Sequence, residues 1–386
     1  MITIFTPIYN RAYTVHHLYE SLLRQTCYDF EWLIVDDGSD DDVTSIVYQW
    51  IESTPQFSIR FYRQENRGKH CAINCGVRLA GYGIFFIVDS DDYLECDAVE
   101  TILQHWSGIE LQDQFAGISG LKRNKDGTVI GGRPSFKGFV DATNLERGKF
   151  GLEGDKAEVF KTKILQKFPF PEYEKETFLT EAVIWNRIAY EGYKLRWINK
   201  SLMVCEYLPD GLTAKGEQLF YDNPRGWAHF LRAEAKYREE KPSVYLKKYY
   251  HYYECTNRRF QDDEIKNMLD MNEPEFKAMV EEYTGFMQTL LDVCAHKSVC
   301  IYAYGCWGKR LKKYLDRLKI QVDYVIDKRY EEIKEMQAYS MKMNLPKVDI
   351  VFVALENGGA EIAKIMQNKM PDAEVILCRD IVPELW

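Results

Sequence analysis

The feature that most restricts this fold is an alternation. In the first hundred residues, short apolar runs take turns with segments whose apolar residues recur at helical spacing. "ITIFTPIY" (2–9) reads as a strand, and Val15, Leu18 and Leu22 mark a helix after it. "EWLIVDDGS" (31–39) is a second strand, followed by a helix carrying Val43, Ile46, Val47, Trp50 and Ile51. "SIRFYRQE" (58–65), "KHCAINCGVRLA" (69–80) and "YGIFFIVD" (82–89) continue as strand, helix and strand. Parallel strands need a crossover between them, so this order predicts an α/β fold with a mostly parallel sheet flanked by helices. Open sheets of that kind bind ligands outside the carboxyl ends of their strands. The groups brought to that edge are Pro7–Asn10, Asp36–Ser39, Asn66–Lys69 and Asp89–Asp92.

Two of these groups are acidic. "VDDGSDD" and "VDSDD" each follow an apolar strand. Carboxylates crowded together repel unless a positive charge lies among them. A solvated turn is the plain explanation, because Asp and Ser favour turns. A divalent cation shared with a phosphate is the alternative, since Mg²⁺ and Mn²⁺ take oxygen ligands and readily keep a phosphate as partner.

The motifs "TPIYNR", "SLLRQT", "EWLIVDDGSDD", "QENRGKHCAINCGVRLA" and "FFIVDSDD" resemble, in order and spacing over residues 2–106, the donor half of a family 2 glycosyltransferase of GT-A fold. The resemblance implies a metal-dependent inverting hexosyltransferase. It would use Mn²⁺ or Mg²⁺ and move a sugar from a UDP-sugar to a glycan, lipid-linked or protein acceptor, in bacterial surface polysaccharide synthesis. It also implies roles at matching positions. Asp36 and Asp37 would hold the nucleoside, Pro7 and Tyr9 would wall the base pocket, and Asn66, Lys69 and Asn74 would lie near the nucleotide and its phosphates. Asp89, Ser90 and Asp91 would form the D-x-D segment, with Asp91 the direct metal ligand and Asp89 beside it. Lys69 suits phosphate binding as a point charge.

The general base of such a transfer is a carboxylate in reach of the acceptor hydroxyl. "FLTEAVIWNRIAYEGY" (178–193) resembles the family's acid-then-helix segment and places Glu181 at the base position. The family often has adjacent Glu and Asp there, whereas this chain has Thr180-Glu181, so Asp155, Glu174 and Glu176 stay open as rivals. Asp155 and Trp185 are candidates on the acceptor side. Trp185 reads more readily as core, and His70 reads as local packing. Arg11 is either a phosphate contact or a surface charge, and the Asp-Gly turn of "EYLPDGLT" (206–213) could close over the diphosphate.

Beyond the donor half, "RNKDGTVIGGR" (123–133) reads as a hairpin, residues 225–295 look helical, and the α/β pattern restarts at "SVCIYAYG" (298–305). These shifts divide the chain into a GT-A domain at 1–222 (donor half 1–106, acceptor half 107–222), a helical connector at 223–295 and a small Rossmann-like domain at 296–386. "AYGCWG" (303–308) is close to G-x-G-x-x-G with Ala303 in place of the first Gly, and Asp327 ends the next strand at the interval of a ribose-binding acid. An NAD-type oxidoreductase is therefore the second reading, and a non-catalytic scaffold of a polysaccharide assembly complex the third. The tail domain could also pair copies of the chain as a homo-oligomer.

A net charge of −9 argues against broad nucleic-acid binding. The chain holds no apolar run of membrane-spanning length. The ten cysteines include no C-x-x-C pair, which fits reduced thiols in a cytoplasm. The Lys- and Tyr-rich stretch 236–253 is compatible with peripheral contact at the inner face of a membrane, although a solvated face is the simpler reading.

Overall fold

The computed structural model describes residues 1–54, 56–206, 208–238, 242–355 and 357–381. It forms two compact units, Met1–Glu239 and Glu240–Trp386.

The first unit opens with β1 (Ile2–Ile8), α1 (Val15–Leu23), β2 (Phe30–Asp36), α2 (Val43–Ser53), β3 (Ser58–Arg63), α3 (Lys69–Leu79) and β4 (Ile84–Ile87). It continues with β5 (Tyr93–Leu94), α4 (Ala98–Trp106), β6 (Phe115–Asn124), β7 (Phe139–Ala142), β8 (Lys156–Lys161) and α5 (Thr162–Lys167). It closes with α6 (Ala182–Tyr190), β9 (Lys194–Cys205), α7 (Leu212–Lys215), α8 (Gln218–Asp222) and α9 (Pro224–Arg238). The strands make one sheet in the order β3-β2-β1-β4-β8-β6-β9-β5, with β7 paired to β9. The pairings among β1–β4 are all parallel, as the alternation predicts. β8 enters antiparallel between β4 and β6, and so joins the two halves of the unit in one sheet.

Every residue of β1 and β2 is buried, as expected of strands covered on both faces. Neighbouring residues serve opposite layers. Ile2, Ile4, Trp32 and Ile34 join Val15, Leu18, Val43, Val47 and Ile102 on one face. Phe5, Leu33 and Val35 join Ile73, Ile164, Leu165 and Ile184 on the other. α3 lies so close to β1 that a Cβ on Gly76 would sit 2.2 Å from the Phe5 ring. The 123–133 hairpin forms around Asp126-Gly127, but its returning arm is a single bridge, Arg123 to Val129, rather than a second strand.

The helices expected to make one connector are divided between the units. α9 is anchored in the first: its buried Glu234 accepts from Asn186 Nδ2 at 3.0 Å, and Glu176 accepts from the N–H groups of Arg225 and Gly226 at 2.8 Å each. The second unit contains α10 (Pro242–Thr256), α11 (Asp262–Leu269) and α12 (Glu273–Cys294). Residues 239–241 of the Lys- and Tyr-rich stretch lie outside the described residues. The α/β part follows as β10 (Val299–Tyr302), α13 (Cys306–Arg317), β11 (Tyr324–Ile326), β12 (Ala338–Tyr339), β13 (Ile350–Val353), α14 (Gly359–Lys369), β14 (Glu374–Leu377) and α15 (Cys378–Ile381). Its parallel sheet runs β12-β11-β10-β13-β14, a doubly wound order with its switch point between β10 and β13. Arg317 of α13 pairs with the buried Glu254 of α10 at 2.9 Å, which ties this sheet to its helices. Among the described residues no helix is long and apolar enough to cross a membrane.

Candidate active site

Parallel register lines up the strand ends that carry the acids. Ile8 pairs with Asp36, Phe5 pairs with Ile87, and the amide of Asp37 donates to Ile8 O at 2.8 Å. The first two loops are laced together: Asn10 N donates to Ser39 Oγ (2.9 Å), Asp40 N to Asn10 Oδ1 (2.8 Å) and Ala12 N to Asp41 Oδ2 (2.8 Å). Asp36 is fully buried, with Oδ1 taking the Ser39 amide. Its Oδ2 has no hydrogen-bond partner, although Arg63 Nη1 lies 3.3 Å away. Asp37 instead organises the next loop. It accepts from Gln64 Nε2 (2.7 Å), Arg67 N (3.0 Å) and Gly68 N (2.7 Å). Burial raises its pKa, against those hydrogen bonds. Gly68 starts α3 at φ +89°, and a Cβ there would meet Thr177 O at 1.9 Å, so only glycine lets this turn pass beneath residue 177.

That turn delivers Lys69 to the centre of the site. Lys69 Nζ lies 2.7 Å from Asp89 Oδ1 and 2.7 Å from Glu181 Oε1. The carboxylate after β4 and the carboxylate opening α6 thus share one cation. Burial alone would lower the Lys69 pKa, but Asp89 and Glu181 outweigh it and the ammonium is held well above its ordinary range. Burial works to raise Asp89, yet Lys69 and then Lys122 hold it below the usual carboxylate value. Asp91 has no such cation. Burial, followed by repulsion from Asp89 and Asp92, pushes it up to about 6. Asp92 is buried with Lys122 Nζ at 3.4 Å and the Cys205 thiol donating at 3.2 Å. The arrangement is an acid without a close ion pair, with Arg11 pulling only weakly against its burial and its acidic neighbours, flanked by acids already paired. It suits a group that takes up a cation.

Several sequence candidates sit elsewhere than expected. Asn74 donates to Phe170 O (2.9 Å) and Glu172 Oε1 (2.8 Å) and accepts from Phe170 N (2.9 Å), so its amide clamps the 170–172 loop with both N–H donors engaged. Trp185 is core: only 8% exposed, it packs on Phe160 and Phe170. Glu176 caps α9 and Glu174 is an exposed charge, which leaves Glu181 as the acid beside Asp89. Asp155 is exposed just before β8. Pro7 is buried at the end of β1, Tyr9 and Asn66 are exposed at the edge, and Ser90 is buried with its carbonyl taken by Thr14 Oγ1. His70 is buried as packing, and its pKa is lowered by burial.

Sequence reasoning did not single out Lys122, Glu158 or Tyr13, because nothing in strand periodicity tells which polar residue of β6 or β8 faces the acids. It weighed Arg11 evenly, and the structure gives Arg11 a partner. Asp210 accepts from Arg11 Nη1 at 2.8 Å and from the Tyr13 hydroxyl at 2.9 Å, which pins the loop after β9 beside Asp91. Within that segment Tyr207 lies outside the described residues.

In the second unit the Gly-rich turn has a structural explanation. Asp327 Oδ2 accepts the Tyr304 amide and Oδ1 the Arg329 amide, both at 2.8 Å, so the acid braces two turns. A Cβ on Gly308 would come within 2.3 Å of Ala303 O, so that glycine permits tight packing of helix on strand.

A mostly parallel sheet with acids at its carboxyl edge, and an antiparallel extension that carries a further acid to meet them, is the architecture of a GT-A glycosyltransferase. Residues 3–157 match the model of Glycosyl transferase family 2, and this part of the chain is a domain of that family. The chondroitin synthase of Escherichia coli is 39% identical over 106 residues, which cover 28% of this chain and 15% of that protein. The hyaluronan synthase of Pasteurella multocida is 36% identical over 134 residues, 34% of this chain and 13% of that protein. The chain therefore spans a small part of the curated relatives it matches. Among solved structures, Staphylococcus aureus TarS 1–349 in complex with UDP-GlcNAc aligns with TM-score 0.50 at 14% identity, over 74% of this chain and 89% of that one, and shares the fold.

Proposed function

We propose that this chain is a UDP-sugar-dependent inverting glycosyltransferase that acts on a glycan, lipid-linked or protein acceptor in bacterial surface polysaccharide synthesis. The observation that carries the reading is the single ammonium of Lys69 bridging Asp89 and Glu181 at 2.7 Å each. It puts the acid that would hold the donor sugar next to the acid that would receive the acceptor proton. The family match, and the UDP-GlcNAc named in the TarS structure, support a nucleotide-sugar donor.

In this mechanism the acceptor hydroxyl oxygen attacks the anomeric carbon from the side opposite the diphosphate. The carbon–oxygen bond to the diphosphate breaks, Glu181 takes the hydroxyl proton, and the configuration inverts. Lys69 holds Asp89 and Glu181 side by side in fixed register. Asp91, with Asp89 beside it, would hold Mn²⁺ or Mg²⁺. Among the described residues no three acidic, Cys or His side chains converge as a metal cage, so such a cation would rely on diphosphate oxygens for further ligands. When bound, that cation supplies Lewis acidity and charge neutralisation to the leaving group. Arg11 and Tyr13, both within electrostatic reach of Asp91, would contact the diphosphate on release from Asp210.

The test is thermal protection and turnover. UDP with Mn²⁺ should raise the melting temperature of the wild type, and one member of a UDP-sugar panel should be hydrolysed slowly. Asp91→Ala should lose both. Protection by NAD without metal, and none by UDP, would overturn the assignment in favour of a dinucleotide enzyme.

A further inference from the structure

One carboxyl in the first unit is placed among the site residues and has no partner. Glu158 lies in the middle of β8, directly opposite Ser119 of β6, so both side chains stand on the same face of the sheet. Phe160, two residues further along that face, packs on Trp185 of α6, the helix that Glu181 opens. Glu158 makes no hydrogen bond or ion pair with any of the described residues, and it is part-exposed rather than sealed in. Ser119 is 1% exposed, and its hydroxyl also has no partner. The buried Ser119 hydroxyl needs an explanation, because such a group normally costs about 1–3 kcal/mol, and the carboxyl beside it stands open to a ligand.

The charged groups around Glu158 come from each neighbouring element. Lys122 on β6 is engaged with Asp92, and Arg147 of the 144–150 turn is bound to the carbonyls of Leu152 and Gly154. Lys156 of β8 is bound to the carbonyls of Ile130 (3.0 Å), Glu153 and Asp155. Asp155 and Glu181 repel Glu158. Burial comes first and, with that repulsion, pushes its pKa up to about 7 against the pull of Lys122 and Arg147. Near neutral pH a large share of the carboxyl is therefore protonated, with one donor and spare acceptor capacity.

Resting on the glycosyltransferase reading, we propose that Glu158, backed by the buried Ser119, is the anchor of the acceptor subsite and hydrogen-bonds a hydroxyl of an uncharged hexose next to Glu181. A sugar carboxylate is disfavoured there, because Asp155, Glu158 and Glu181 surround the position while the nearby cations are already engaged. Glu158 is a positioning residue, since it fixes the acceptor relative to the base.

The experiment is saturation-transfer NMR of methyl hexosides (gluco, galacto, 2-acetamido-2-deoxygluco and glucuronide) on the full chain with UDP and Mg²⁺. At least one neutral glycoside should bind the wild type, and the glucuronide should not. Glu158→Gln, which keeps a donor and an acceptor, should hold affinity within about threefold. Glu158→Leu should weaken it at least about tenfold. Wild-type affinity should fall between pH 6.5 and 8.5, while that of the Gln variant stays flat. The thermal shift on adding UDP should be the same in all three proteins. No binding of any neutral glycoside to the wild type, or equal binding by the Leu variant, would overturn the subsite. Absence of the UDP shift in the wild type would instead overturn the donor assignment.

Discussion

Asp91→Asn should make the metal-free protein more stable and, at the same time, blind to UDP and Mn²⁺. Asp91 is pushed from 3.8 to about 6, by burial first and then by Asp89 and Asp92. Each pKa unit corresponds to about 1.4 kcal/mol, so an ionised carboxylate so displaced would carry about 3 kcal/mol of strain if it were cut off from solvent. Asp91 is part-exposed, and solvent screening brings this to about 1–2 kcal/mol. Asparagine keeps the shape and removes the charge. For a unit of this size that corresponds to a rise of about 2–8 °C in melting temperature. The sign depends on pH. A carboxyl with a raised folded-state pKa costs stability above that value, and the cost vanishes below the unfolded value. The gap between variant and wild type should therefore be full above about pH 6 and close near pH 4. Differential scanning fluorimetry across pH 4–8, with and without UDP and Mn²⁺, reads both effects. A variant no more stable than wild type at pH 7.5 would refute the electrostatic argument, and a variant that keeps the full ligand shift would refute Asp91 as the cation's ligand.

Lys69→Met leaves Asp89 and Glu181 facing each other without their shared cation; stability should fall by about 1–3 kcal/mol in urea titrations, and turnover of the nucleotide sugar by at least about a hundredfold. Gly68→Ala puts a Cβ 1.9 Å from Thr177 O at φ +89°, so it should destabilise by more than about 1 kcal/mol and weaken UDP binding through displacement of Lys69, both measurable on the purified variant. Trp185→Ala should cost about 3–5 kcal/mol while leaving UDP affinity of the folded protein unchanged, as a core role demands. Asp327→Ala should lower the melting transition of the second unit by releasing the Tyr304 and Arg329 amides, with no effect on nucleotide-sugar hydrolysis.

Much of the donor half was legible because two periodicities dominate it. β1, β2 and β4 are largely buried apolar runs and α1 and α2 carry their apolar residues on one face, whereas the edge strand β3 is mostly exposed; that order aligns Ile8 with Asp36 and delivers Asp89 to the same edge. The acceptor half was less legible, because its β8 runs antiparallel between β4 and β6, a pairing no local pattern encodes. The single connector expected at 223–295 is divided because α9 finds its partners in Glu176 and Asn186, residues tens of positions earlier.

The sequence alone determined which residues could do the chemistry, since strand-end acids and the helix-opening Glu181 follow from local pattern and resemblance. Tertiary structure decided which of them are free to do it. Asn74 and Glu176 have their polar atoms taken by partners distant in sequence, and Asp327 by the Tyr304 and Arg329 amides, whereas Asp91 and Glu158 are left without a close partner among like charges. The physical reason is that a hydrogen bond or a repulsion depends on distance in space, and spacing along the chain fixes that distance only within a single strand or helix.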